Sequence, residues 1–266
     1  MNHRDPRQHA VAAAAFVTAA TILTACVMPG DTSIAKPANE TEQVAAAAYS
    51  VGDYAEAARL YERASAAAPR SVTALTGLGK SYSELGQLNR AQNALQAAEA
   101  LRPRDPDVQS EIGKLALIQG NGPAAFAAFD LALRAKPQHL PALTGKAVAL
   151  DHMSRHREAQ AVYQTALALY PTNFALMSNH ALSRAISGDE AYAQSVFTEL
   201  LNDARHSETT KANLAIVYML TGKTNEASAI LQGMMSQSEI NQELKRLSDL
   251  RQKRAAGQPI GHLVFQ

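Results

Sequence analysis

The sequence predicts an all-α protein, an array of about six helical hairpins closed by a C-terminal capping helix. Three observations predict it. Aliphatic residues and alanine supply most of the apolar content, aromatic residues make up 5% of the chain and tryptophan is absent, a composition that favours helix. Pro69, Pro103, Pro137 and Pro171 are each separated by 34 residues. With each proline set at position 32 of a 34-residue unit, six alanines (Ala57, Ala91, Ala125, Ala159, Ala193, Ala227) share position 20, and six large apolar residues (Tyr61, Leu95, Phe129, Tyr163, Phe197, Leu231) share position 24.

The elements follow in chain order. Residues 1–25 have the layout of a secretory signal. Arg4 and Arg7 precede the apolar stretch AVAAAAFVTAATI, which is too short to span a bilayer as a permanent helix. LTAC follows, ending in Cys26, the only cysteine of the 266 residues, so no internal disulfide can form. Leu23-Thr24-Ala25-Cys26 resembles the lipobox of bacterial lipoproteins, which implies cleavage before Cys26 and a covalent lipid on its thiol. An ordinary signal peptide with Cys26 as a leftover thiol is the alternative. Two acyl chains hold a protein on a membrane, each methylene adding about 0.8 kcal/mol. Val27, where some lipoproteins carry an aspartate that retains them at the inner membrane, points by the same resemblance to the periplasmic face of the outer membrane. Residues 26–39 hold Pro, Gly and small polar residues without helical period and read as a tether.

Six units then run without insertion over 38–71, 72–105, 106–139, 140–173, 174–207 and 208–241. Small residues at position 8 (Ala45, Gly79, Gly113, Ala147, Ala181, Ala215) and position 20 let the two helices of a hairpin approach, while position 24 fills the space between hairpins. The turn at position 15 is assigned to Gly52, Gly86, Gly120, Arg155, Gly188 and Gly222, glycine there permitting the left-handed conformation that ends a helix. Proline at position 32 stops the second helix. Asp53 with Glu56, and Asp105 before Pro106, are placed to cap helix starts. A terminal hairpin needs a cover. The region 242–266 is assigned to a capping helix and tail, with Ile240, Leu244, Leu247 and Leu250 forming one apolar stripe over 238–254; AAGQPIGHLVFQ shows no period.

This register resembles the tetratricopeptide repeat (TPR), whose family fold is a right-handed superhelix of such hairpins. Departures are the missing Trp at position 4, Lys146 and His180 in place of Leu at position 7, and Arg205 and Glu239 in place of proline. In that family, positions 2, 5, 6, 9, 12 and 13 of the first helix point into a concave groove. The resemblance places a polar stretch there (Thr73, Thr76, Lys80, Ser83, Asp107, Ser110, Lys114) and an apolar one (Leu117, Ile118, Val148, Leu182, Ile186, Ile216, Met219, Leu220). The apolar residues suit an amphipathic helix or extended peptide, or else contact with the C-terminal helix folded back into the groove. Asn179 and Asn213 at position 6 suit hydrogen bonds to a bound peptide backbone, or bridges within the array.

Other chemistry finds little support. Lys plus Arg number 25 against 24 Asp plus Glu, with no one-signed block to attract nucleic acid. Gly79-Lys80-Ser81 ends like a phosphate loop, but Ala74 stands where that loop needs glycine, and Lys80 and Ser81 read as helical surface residues. His152 and His156 have the spacing of a metal pair, but an inter-helix turn falls between them. His180 reads as a satisfied buried histidine. No nucleophile with a supporting base is apparent, so no enzyme, metal or cofactor is expected.

Residues 140–232 carry a closer resemblance. ALMSNHALSRAISG (Ala175 to Gly188) and NLAIVYMLTG (Asn213 to Gly222) are similar to the later repeats of the TadD family, the tetratricopeptide lipoproteins of the Tad/Flp pilus assembly system. The resemblance implies a pilotin-like scaffold that helps localise or assemble the secretin pore and pilus machinery, its groove holding a segment or helix of a secretin or other pilus-assembly protein. Two alternatives stand beside it: a periplasmic TPR adaptor in cell-envelope or cell-division assembly unrelated to pili, and an enzyme subunit with a site hidden in the array.

Overall fold

The structure, a computed structural model, describes residues 38–265. The signal, Cys26 and the tether through residue 37 lie outside them. Among the described residues, helices follow one another as hairpins: α1 (Ala38–Ser50) with α2 (Tyr54–Ala67), α3 (Val72–Glu84) with α4 (Leu88–Leu101), α5 (Pro106–Ile118) with α6 (Gly122–Ala135), α7 (Leu140–His152) with α8 (His156–Leu169), α9 (Phe174–Ile186) with α10 (Glu190–Leu200), and α11 (Ser207–Leu220) with α12 (Thr224–Leu231). Two further helices follow, α13 (Gln237–Ala255) and α14 (Gly261–Val264). The fold is that of a superhelical TPR array. Helix α1 already includes Ala38 and Asn39, so the last two residues assigned to the tether are helical.

The local chemistry of each unit repeats. Asp53 accepts the Glu56 N–H at 3.1 Å, Asp105 accepts from Asp107 and Val108, and Asn121, Asn173 and Asp189 cap α6, α9 and α10 in the same way. Gly52, Gly86, Gly120, Gly188 and Gly222 take positive φ at the hairpin turns. In the fourth unit that conformation falls on Ser154, with φ 60°, and not on Arg155, which is the residue preceding α8. The turn has the same geometry as its neighbours, so the residue at the same offset must adopt it even without glycine.

The core is a run of interlocked pairs. A side chain at Gly79 would collide with Leu95 at 2.6 Å, and one at Gly113 with the Phe129 ring. The Phe129 ring also abuts Gly145 in the next unit, as Tyr61 abuts Gly77. Position 24 therefore reaches across the seam into a notch left by a missing side chain. Ala57, Ala91, Ala125, Ala159, Ala193 and Ala227 are all fully buried.

Successive first helices touch, α1 with α3, α3 with α5, α5 with α7, α7 with α9 and α9 with α11, whereas second helices are not joined to the same extent. The array thus curves with its first helices on the inside. At the far end the pattern loosens. With Arg205 in place of proline, a short 3-10 turn over Ala204–His206 leads into α11. Helix α12 stops at Leu231, and α13 starts at Gln237, inside the span assigned to the sixth unit. Ser236 and Glu239 form a reciprocal capping box there. Ile240, Leu247 and Leu250 are buried against α11 and α12, with Leu244 partly so.

Candidate partner-binding groove

A groove of about 750 Å³ opens on the inner face. Helix α5 supplies Lys114, Leu117 and Ile118, α7 supplies Val148 and His152, α9 supplies Phe174, Ala175, Ser178, Asn179 and Leu182, and α11 supplies Thr209 and Asn213. Gly120 and the chain's own C-terminal segment, His262, Val264 and Phe265, complete the wall. Ile118 is 55% exposed, a large apolar side chain standing in water at the groove's open end.

The residues assigned to the groove from sequence divide into three sets. Lys114, Leu117, Ile118, Val148, Asn179, Leu182 and Asn213 do line this cavity together. Thr76, Lys80 and Ser83 sit apart from it on α3: Thr76 is buried with its hydroxyl lacking a partner, Lys80 lies 4.7 Å from the centre of the Tyr49 ring, and Ser83 donates to the Gly79 carbonyl. Ile186, Ile216, Met219 and Leu220 are not open surface. They belong to one buried cluster with Leu247, Leu250 and Ile260, so the C-terminal segment folds back over the distal inner face and covers them.

Polar groups in and around the groove are held inside the array. Asn213 donates to Ser178 Oγ at 2.7 Å, a bridge between units, and Lys114 pairs with Glu111 at 2.8 Å. Asp107 and Ser110, placed with the polar stretch, both contact the ring of His139. Ser81 is fully buried and donates to the Gly77 carbonyl, which corrects its reading as a surface residue; Lys80 beside it is helical, with no loop for phosphate. His152 ends α7 and His156 begins α8. His156 Nδ1 bonds Asp151 at 2.7 Å, while His152 Nε2–H donates to the Phe265 carbonyl at 3.2 Å. His180 is buried as anticipated but only half satisfied: Nδ1 meets the Tyr192 hydroxyl and Nε2 has no partner. Burial holds its imidazole below the usual range, and Arg184 adds to the effect.

Sequence reasoning missed the Asp151 site. The carboxyl is fully buried between the fourth and fifth units, where Oδ1 accepts from Ser183 at 2.8 Å and from His156, and Oδ2 has no partner. Burial pushes it above the ordinary aspartate range against the opposing effect of those hydrogen bonds. Its one sequence signal is an acidic residue at position 12, where neighbouring units carry Ser83, Leu117 and Ala185.

The tetratricopeptide repeat family model matches residues 48–115. No curated protein sequence matches the chain. Among solved structures, a thermophilic TPR protein of Thermus thermophilus is 22% identical with a TM-score of 0.61, over 68% of this chain and 99% of that one. A tetratricopeptide repeat protein of Parabacteroides merdae is 17% identical with a TM-score of 0.62, over 82% and 89%. PilW, a type IV pilus biogenesis factor, is 20% identical with a TM-score of 0.66, over 79% and 98%. The fold is that of tetratricopeptide-repeat arrays, and the repeats at residues 48–115 match the family model. Among the described residues no helix is long and apolar enough to cross a membrane.

Proposed function

We propose that the protein is a lipid-anchored TPR scaffold of Tad/Flp pilus assembly, at the periplasmic face of the outer membrane, whose inner groove holds a segment of a secretin or other pilus-assembly protein. The groove carries the interaction half of this reading. Leu117, Ile118 and Val148 offer an apolar floor, and Asn179 stands beside it on α9 as a donor for a peptide backbone. The pilus half rests on the resemblance of Ala175 to Gly188 and Asn213 to Gly222 to the TadD family. The likeness to PilW is one of fold, and it agrees with that role without carrying it. The anchor half rests on the lipobox-like residues before Cys26. No catalytic chemistry and no cofactor are assigned, the lipid on Cys26 being the sole covalent addition.

Photo-cross-linking from position 118 in intact cells tests the groove, because Ile118 is open whereas the surface of Ile186, Ile216, Met219 and Leu220 is covered. Capture of a secretin or another pilus-assembly component is expected; cross-links to cell-division or peptidoglycan proteins alone would overturn the pilus assignment. Cys26→Ser is expected to release the protein from the membrane fraction and abolish pili, and retention of both would end the anchor reading.

A further inference from the structure

The segment from Ile260 to Phe265 lies on the inner face as a bound peptide would. Ile260 is buried in the distal cluster, Gly261 is buried, His262 is exposed, and Leu263, Val264 and Phe265 pack partly into the array. Phe265 touches two core clusters, those of the fourth and the last units. The contact at Gly261 is backbone against backbone: a side-chain carbon added there would fall inside the Asp151 carbonyl, and no flexible side chain could move to relieve it. His152 reads the main-chain carbonyl of Phe265. Helix α14 is attached to the array through α7 and α9. The groove continues past it, and at this edge the buried His152 Nδ1 has no partner.

Recognition here thus has three parts: apolar sockets, one point of approach too close for any side chain, and a histidine that bonds a backbone oxygen. All three act on a peptide's pattern and not on its being covalently attached. We propose that α14 is a displaceable stand-in, and that the partner segment taken by the groove has the same pattern, an apolar residue, glycine, one free position, two apolar residues and an aromatic one. This rests on the groove reading above and specifies its ligand. While α14 is docked, the site is occupied, and a free peptide sees only the fraction of molecules in which the tail has left.

The probe is a fluorescent synthetic peptide with the sequence of residues 258–266, read by anisotropy on the full chain. Gly261→Ala in the protein evicts its own tail, so amide exchange at residues 260–265 should lose protection and the peptide should bind on the order of tenfold more tightly than to the unsubstituted chain. A peptide carrying alanine in place of its glycine should bind neither. A released tail with no gain in peptide binding would overturn the proposal and leave α14 a plain cover. Should Gly261→Ala leave the tail docked, Phe265→Ala provides the second release, with the same expected gain and the same refuting result. Exchange of tails between two copies, seen as a dimer dissolved by the peptide, would replace the partner with self-association. Cross-linking from position 118 reads the open end of the groove independently, so a partner captured there with no peptide binding refutes this inference alone.

Discussion

At the scale of single residues, the array is held by pairs in which one side chain occupies the place another lacks. Phe129 is fully buried and its ring contacts both Gly113 and Gly145. Gly145→Ala should therefore destabilise by about 1–3 kcal/mol through overpacking. The loss should shrink when combined with Phe129→Leu, a coupling that urea unfolding of the double-mutant cycle measures. Asp151 provides a second prediction. Its carboxyl is raised by burial, so the protonated form fits the folded state better. Its contribution is then fully present below about pH 4 and declines as pH rises through the folded-state value. The stability advantage of the unsubstituted chain over Asp151→Asn should fall with rising pH, read from urea midpoints across the range. The position-8, position-20 and position-24 residues were legible from sequence because steric size repeats with the period. Asp151 was not, since its setting depends on Ser183 and His156 converging from two other helices.

Among the elements, turns and caps followed from short motifs wherever the motif was regular. Ser154 shows what happens where it was not. The turn keeps its left-handed residue while the sequence offers serine, so the glycine that marks the other five turns is missing at the fourth. Ser154→Gly should stabilise the chain by up to about 1 kcal/mol, relieving the left-handed cost that an L side chain bears, and thermal unfolding checks it. The opposite sign is expected at α13: Ser236→Ala removes one half of a capping box and should cost about 1 kcal/mol, with fraying confined to the first turn of α13 in amide exchange. Helix α14 escaped the sequence because four residues have no period to detect; the backbone of α7 places it. Burial lowers the His152 imidazole from its ordinary value against the opposing pull of its hydrogen bond to the Phe265 carbonyl, so its neutral form favours the folded state. That support is complete above about pH 6.5 and lost as pH falls through the folded-state value. The stability advantage of the unsubstituted chain over His152→Gln should accordingly shrink on acidification, read from urea midpoints.

For the molecule as a whole, the consequence of stacking is that each hairpin is stable only with its neighbours, so the ends decide how the array opens. The last hairpin is atypical: α12 has 8 residues against 14 in α2, α4, α6 and α8, and its exposed flank is closed by α13 through Leu247 and Leu250, while the ion pair of Arg254 with Glu190 at 2.5 Å ties α13 to α10 of the fifth hairpin. A charge placed in this seam has no partner. Leu247→Asp should therefore free α13, uncover Ile216, Met219 and Leu220, and lower stability by about 3 kcal/mol or more. The loss should spread unevenly. Amide exchange is expected to rise through α9 to α12 while α1 to α4 keep their protection, because coupling passes only between adjacent units. Uniform exchange along all six hairpins would instead mean that the array opens as one cooperative block. The same uncovering gives the variant a larger apolar inner face, so it should take up an apolar dye that the unsubstituted chain takes up weakly. The dye should compete with the peptide of residues 258–266 if the two share the surface that the C-terminal segment now covers.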